Sequence, residues 1–172
     1  MVLARPAILR AIQKKQIQIH PYAARLVGPC SVDFRLGQQF KRIKKRKTNL
    51  YISGNPEYKD DFHEEITLKN NETLKIRPGE LVLGVTYEKL TLDDKHCAFI
   101  EGRSRLARLG LLVHVSSSLI QPGVSNHQVL EIVNLSPQPI FLQPQTIICQ
   151  VVFDELKGSA QYVGRFRHQT KA

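Results

Sequence analysis

The strongest constraint on this chain is the period of its apolar residues. Ile17 and Ile19 flank Gln18, and Val32, Phe34 and Leu36 alternate with Asp33 and Arg35. A two-residue period puts the apolar side chains on one face of an extended strand, whereas a helix would scatter them around its axis. Strand-like runs recur over residues 66–76, 81–87, 129–133 and 147–153. They are broken by Asn70-Asn71, Pro78-Gly79 and a proline-rich connection. Many short strands between turn residues predict a mostly-β barrel or sandwich. Two stretches depart from that rhythm. Residues 6–15 carry Ile8, Leu9 and Ile12 at helical spacing, with Pro6 placed for the first turn, which predicts one short N-terminal helix. Residues 102–112 mix Arg, Leu and Ala and predict a helical turn, with Ser104 and Arg108 on one face and Arg105 pointing elsewhere. A chain of 172 residues, 42% of them apolar, is sized for one domain, and no internal repeat divides it.

Charge narrows the partners. Lys and Arg number 25 against 15 Asp and Glu, a formal net charge of +10, which favours nucleic acid, acidic lipid or phosphorylated small molecules. The basic run at residues 41–47 reads first as a solvated loop or strand end and second as a phosphate or nucleic-acid patch. No aromatics are interleaved with it, so recognition of bases is not expected. Cys30, Cys97 and Cys149 are odd in number and widely spaced, which suggests neither a disulfide framework nor a metal knuckle and makes a reducing cytosol the expected compartment. The start lacks a signal-peptide pattern. The two long uncharged runs, residues 109–130 and 132–153, are interrupted by Pro, Ser and Gln, so no membrane span is expected. His63-Glu64-Glu65 meets the first half of the zinc-deaminase signature. The second half is missing: the only Pro-Cys is Pro29-Cys30, and the next cysteine, Cys97, is far downstream. No zinc site is expected.

Two stretches are unlike generic β protein: Gly102-Arg103-Ser104-Arg105-Leu106-Ala107-Arg108-Leu109-Gly110-Leu111 and Gln128-Val129-Leu130-Glu131. The first resembles the signature of dCTP deaminases, departing from it at Arg105. The resemblance continues through Val113-His114-Val115, Ile120-Gln121-Pro122-Gly123 and Val129-Leu130-Glu131. Upstream, the segment from Gly28 to Gly37 and Arg77-Pro78-Gly79-Glu80 also look like motifs of the dCTP deaminase/dUTPase superfamily. What the resemblance implies is a distorted β-barrel or jelly-roll of the dUTPase-like type with a short N-terminal helix, assembled as a homotrimer with active sites between subunits. It implies hydrolytic deamination of dCTP to dUTP and ammonia, with Mg²⁺ entering on the substrate triphosphate and no zinc. Glu131 would act as general base on the water that attacks C4, with Ser104 and Arg108 orienting that water and stabilising the developing charge. Arg103, Ser104, Arg105, Ser117 and Gln121 would bind substrate. Residues 159–172 look like a shortened family tail, a lid in which Tyr162, Arg165 and Gln169 would face the nucleotide; the same segment also reads as a frayed basic terminus.

Each assignment has a plainer counterpart. A glutamate in an apolar strand is commonly its solvent-facing residue, Ser104 suits a helix cap, and Arg103 and Arg105 suit a solvated surface. Several positions depart from the family pattern: Gln121 replaces an Asp that contacts the sugar, Arg105 replaces a Ser, Val124 an aromatic, and Gln145 a Gly. Gln121 weighs most against pyrophosphate hydrolysis, so deamination ending at dUTP is the expected reaction. The alternatives are a bifunctional enzyme giving dUMP and a non-catalytic nucleotide-binding homologue; nucleic-acid binding through residues 41–47 is the least expected.

Overall fold

The computed structural model describes residues 1–45, 52, 54, 62–69 and 71–171. Helix α1 spans Arg5–Gln13 and is followed by strands β1 (Ile17–His20), β2 (Val32–Ile43), β3 (His63–Thr67), β4 (Leu74–Ile76), β5 (Leu81–Leu92) and β6 (His96–Glu101). A single helical turn, α2 (Ser104–Ala107), then leads to β7 (Leu111–Val113), β8 (Leu119–Ile120), β9 (Ser125–Asn134), β10 (Ile140–Leu142) and β11 (Ile147–Glu155). The basic run continues β2 as far as Ile43; its last two residues, 46 and 47, lie outside the described residues, as does Asn70 of the expected turn.

The main sheet runs β7-β9-β5-β2-β11-β6-β8, with β1 also on β5 and β3 also on β2, and its strand pairs are antiparallel; β4 and β10 form a separate two-stranded ribbon. This is the mostly-β, curled-sheet fold the apolar period predicts. Its core is built from alternate residues of the long strands. In β2 these are Val32, Phe34 and Leu36; in β9, Leu130 and Ile132; in β11, Val151 and Phe153. Removing such apolar surface from water is the main force holding the curled sheet together.

The sheet curls where its registers slip. The β2–β5 register shifts between Leu36 and Phe40, and the β5–β9 register shifts between Val85 and Lys89. Between these bulges Gly37 passes so close to β5 that a Cβ would lie 2.9 Å from the Val85 carbonyl oxygen, so only glycine fits. Helix α1 packs Ile8 and Ala11 inward and ends in a Schellman-type turn: Gln16 N–H donates to the Ala11 carbonyl at 2.9 Å while Lys15 takes φ 59°.

Candidate active site

Strand β9 alternates strictly. Asn126, Gln128, Leu130, Ile132 and Asn134 are buried, and Ser125, His127, Val129, Glu131 and Val133 are half-buried on the other face. His127, Val129 and Glu131 of that second face, together with Asn126 and Gln128 of the first, line a cavity of about 1010 Å³. Its floor includes one cross-strand row: Glu65 of β3 opposes Lys41 of β2, Lys41 opposes Leu83 of β5, and Leu83 opposes Glu131 of β9. Residues directly opposite in an antiparallel sheet share a face, so the two carboxylates and the lysine project into the same space.

The Glu131 side chain is not left in water. The segment after β7 wraps around it. Val115 N–H and Ser116 N–H donate to Oε2 at 3.0 and 2.6 Å, and the Ser116 hydroxyl donates to Oε1 at 2.7 Å. Burial pushes the Glu131 pKa up. The Ser116 hydroxyl and amide, the charge of His114 and the Val115 amide outweigh it, so the carboxyl is held below its ordinary value. The group is therefore anionic at neutral pH and fixed in orientation.

His114 stands between β7 and this wrap, at φ 64°, with its N–H donated to the Glu131 carbonyl at 2.7 Å. Both of its ring nitrogens are buried with no hydrogen-bond partner among the described residues, and the ring lines the cavity. Buried polar atoms are normally satisfied, so this unpartnered ring is an exception among the described residues.

The edge of β9 adds a backbone element. Ser125 N–H and His127 N–H donate outward to the carbonyls of Arg167 and Gln169, at 2.9 and 3.0 Å, and the Glu131 carbonyl faces the same edge to meet His114. Gln128 N–H turns the other way, to Thr86 Oγ1 at 3.0 Å. By this parity the N–H and C=O of Val129 lie on the outer edge, between the tail and His114, and Val129 lines the cavity. A donor and an acceptor thus stand side by side there.

The structure places the residues expected from sequence in two groups. Glu131, Ser117, Gln121, Tyr162, Arg165 and Gln169 line the cavity. The last three come from the tail, which docks on β9 through the bonds above and through Asn126 Nδ2 to the Phe166 carbonyl at 2.7 Å, and on the turn before β9 through Tyr162 N–H to the Pro122 carbonyl at 2.9 Å. Ser104, Arg105 and Arg108 sit on exposed α2 or directly after it, and they do not line this cavity. Arg103, just before α2, is ion-paired with Asp33. Sequence reasoning did not find the Glu131 clamp at Ser116 and Val115, the unsatisfied ring of His114, or the Val129 peptide groups. His114 had one signal, its place inside the quoted Val-His-Val motif. Among the described residues no group of three or more His, Cys, Asp and Glu side chains converges to hold a metal ion. No helix among them is long and apolar enough to cross a membrane.

A family model described as dCTP deaminase-like matches residues 2–156. The "dCTP deaminase, dUMP-forming" of Dictyoglomus turgidum is 34% identical over 163 residues, covering 94% of this chain and 84% of the relative. A Nocardioides protein of the same name is 35% identical over 177 residues, covering 98% and 91%. The "dCTP deaminase" of Haloarcula marismortui is 32% identical over 162 residues, covering 93% and 83%. Among solved structures, the 2'-deoxycytidine 5'-triphosphate deaminase from Agrobacterium tumefaciens matches with a TM-score of 0.67 at 19% identity. That match covers 88% of this chain but 47% of the Agrobacterium chain, so the present chain spans about half its length; the likeness is one of fold.

Proposed function

Because the chain belongs to the dCTP deaminase-like family, we propose that it deaminates dCTP hydrolytically and carries the product on to dUMP and pyrophosphate. The observation that carries the deaminase reading is the anionic Glu131, clamped by three donors on the wall of a cavity beside the exposed peptide edge of Val129. Cytosine presents a 4-amino donor next to ring acceptors, which is the complement of the Val129 C=O and N–H. A base held there brings C4 toward Glu131. The carboxylate takes a proton from the attacking water as its oxygen bonds to C4 and passes that proton to the ring nitrogen. The proton left on the new C4 hydroxyl then moves through Glu131 to the amino group, and the C4–N bond breaks to release ammonia and leave a C4 carbonyl.

Ser104 and Arg108 complete the site from a neighbouring subunit of a homotrimer. Two observations support this. They do not line their own chain's cavity, and three apolar residues are left exposed: Leu109 just after α2, Leu135, whose N–H donates to the Gly110 carbonyl at 2.8 Å, and Val115 just after β7, at 65%, 62% and 55% exposure. Such a patch is suited to burial against another copy. Arg165 and Gln169 would meet the triphosphate, and Mg²⁺ would enter on that triphosphate rather than in a cage of protein ligands.

The second half of the reaction rests on the relatives: those at 34–35% identity carry the dUMP-forming name. They outweigh the expectation, drawn from Gln121, of a reaction ending at dUTP. Gln121, exposed on the cavity rim, keeps that simpler outcome as the second reading. Incubating the chain with dCTP and Mg²⁺ and separating the products by ion-exchange chromatography tests both. Ammonia with dUMP and pyrophosphate is expected. Accumulated dUTP selects the second reading, and unchanged dCTP refutes both.

A further inference from the structure

Where β6 ends, the backbone turns through Gly102 and Arg103 into α2, and polar groups from two other strands meet it there. Asp33 of β2 is opposite Gln150 of β11, and Gln150 is opposite Glu101 of β6, so the three residues stand in one row across the sheet. Gln150 accepts from the Ser31 hydroxyl at 2.9 Å, and its Nε2 donates to the Gly102 carbonyl at 3.3 Å. Arg103 Nη1 donates to Asp33 Oδ1 in an ion pair. Val32 and Phe34, on either side of Asp33, are buried in the core and hold the carboxylate outward.

This ion pair does little for folding. Its side chains are 29% and 24% exposed, and at such exposure water screens the attraction while ordering two side chains costs entropy. Its effect lies in where it puts the guanidinium. Arg103 precedes α2 with extended backbone and makes no side-chain cap, so nothing local fixes its rotamer. A guanidinium is a planar fork of five N–H groups. Asp33 engages one side of it and leaves the rest for a second anion.

We propose that Asp33 is a positioning residue for nucleotide binding: it holds Arg103 so that the unspent edge of the guanidinium meets the substrate phosphates. This rests on the nucleotide-binding reading given above. It also gives a role to the motif from Gly28 to Gly37, which the catalytic groups do not use.

The test is calorimetric binding of dCTP and of deoxycytidine to the full chain and to Asp33→Asn, Asp33→Glu, Arg103→Ala and the Asp33→Asn/Arg103→Ala double variant. A misdirected charge-assisted contact is expected to raise the Kd for dCTP about tenfold in Asp33→Asn. The Kd for deoxycytidine, which has no phosphate, moves far less. Asp33→Glu recovers part of the loss, and in the Arg103→Ala background Asp33→Asn adds nothing further. Equal weakening of both ligands, or losses that multiply in the double variant, overturns the proposal. Should Asp33→Asn fail to fold, Asp33→Glu gives the reading instead: it keeps the charge pair but shifts the guanidinium by the length of one methylene, so it must lose dCTP selectively and add nothing in the Arg103→Ala background. An unaltered chain that binds dCTP without releasing ammonia refutes the deaminase reading while these Kd values still decide the Asp33 claim; one that binds dCTP no better than deoxycytidine overturns the claim itself.

Discussion

Replacing Ser116 with alanine removes one of the three hydrogen bonds that hold Glu131 and leaves two from the backbone. The lost bond is the hydroxyl at 2.7 Å from Oε1; the amides at 3.0 and 2.6 Å from Oε2 remain. A hydrogen bond to a charged group contributes about 1.5–3 kcal/mol, and water replaces part of it at an exposed residue, so about 1 kcal/mol is expected. In a chain of this size that lowers Tm by roughly 2–4 °C. The loss falls on the ionised carboxylate alone. Burial raises the Glu131 pKa, but the Ser116 and Val115 donors and His114 leave it below its ordinary value. A carboxylate depressed in this way contributes stability that is present above its unfolded pKa and lost as pH falls through its folded pKa. The Tm deficit of Ser116→Ala therefore appears at neutral pH and closes on acidification. Over the same range the acid limb of kcat/KM for dCTP moves to higher pH, since the base now protonates more easily. Paired thermal melts at neutral and acid pH, with a pH–rate profile, measure both. A deficit of equal size at both pH values, together with an unmoved acid limb, refutes the clamp.

Glu131→Gln keeps an oxygen for the two amides and an NH₂ for the Ser116 hydroxyl, so it should melt like the unaltered chain while kcat falls roughly 10²–10⁴-fold; steady-state kinetics beside a melt checks this. Asn134→Ala removes a fully buried side chain that bonds the Ile76 and Gln138 carbonyls at 3.0 and 2.8 Å and the Ser136 amide at 2.8 Å. Leaving those partners unmet costs about 3 kcal/mol, a drop in Tm of roughly 10 °C by calorimetry. Ending the chain at Tyr162 keeps that ring against the core but deletes Arg165 and Gln169. KM for dCTP should rise about tenfold with little change in Tm, and an unchanged KM would remove the tail from the binding account.

What the sequence reveals of this fold follows its periodicities. The alternation in β2 and β9 is plain because each strand has one buried and one wetter face. Strand β6 goes unseen because His96, Cys97 and Ala98 are buried in succession, and a strand covered on both faces loses its period. The three-residue strand β10 is too short to show one, whereas β4 falls at the end of the strand-like run 66–76, where buried Leu74 and Ile76 flank exposed Lys75. Helix α1 ends at Gln13 rather than 15 because Lys15 turns left-handed, a place where glycine would have given a signal. In the site, Glu131 is readable from its motif. Its clamp is mostly backbone N–H, which side-chain identity does not report, and the same holds for Val129. Arg103 reads as a solvated or phosphate-seeking cation because its partner lies 70 residues away in sequence. Ser104 and Arg108 are readable as a pair, but that they do not line their own chain's cavity is a product of the fold, which residue spacing does not report.

The most direct test of the account mixes two inactive chains, Glu131→Gln and Arg108→Ala, refolded together in equal amounts. If Glu131 of one subunit works with Arg108 of another, about a quarter of the sites in randomly mixed trimers contain both intact groups, and roughly that fraction of the unaltered chain's ammonia release from dCTP returns. A mixture as inactive as its two components, once mixed assemblies are confirmed by native mass spectrometry, contradicts a site shared between subunits.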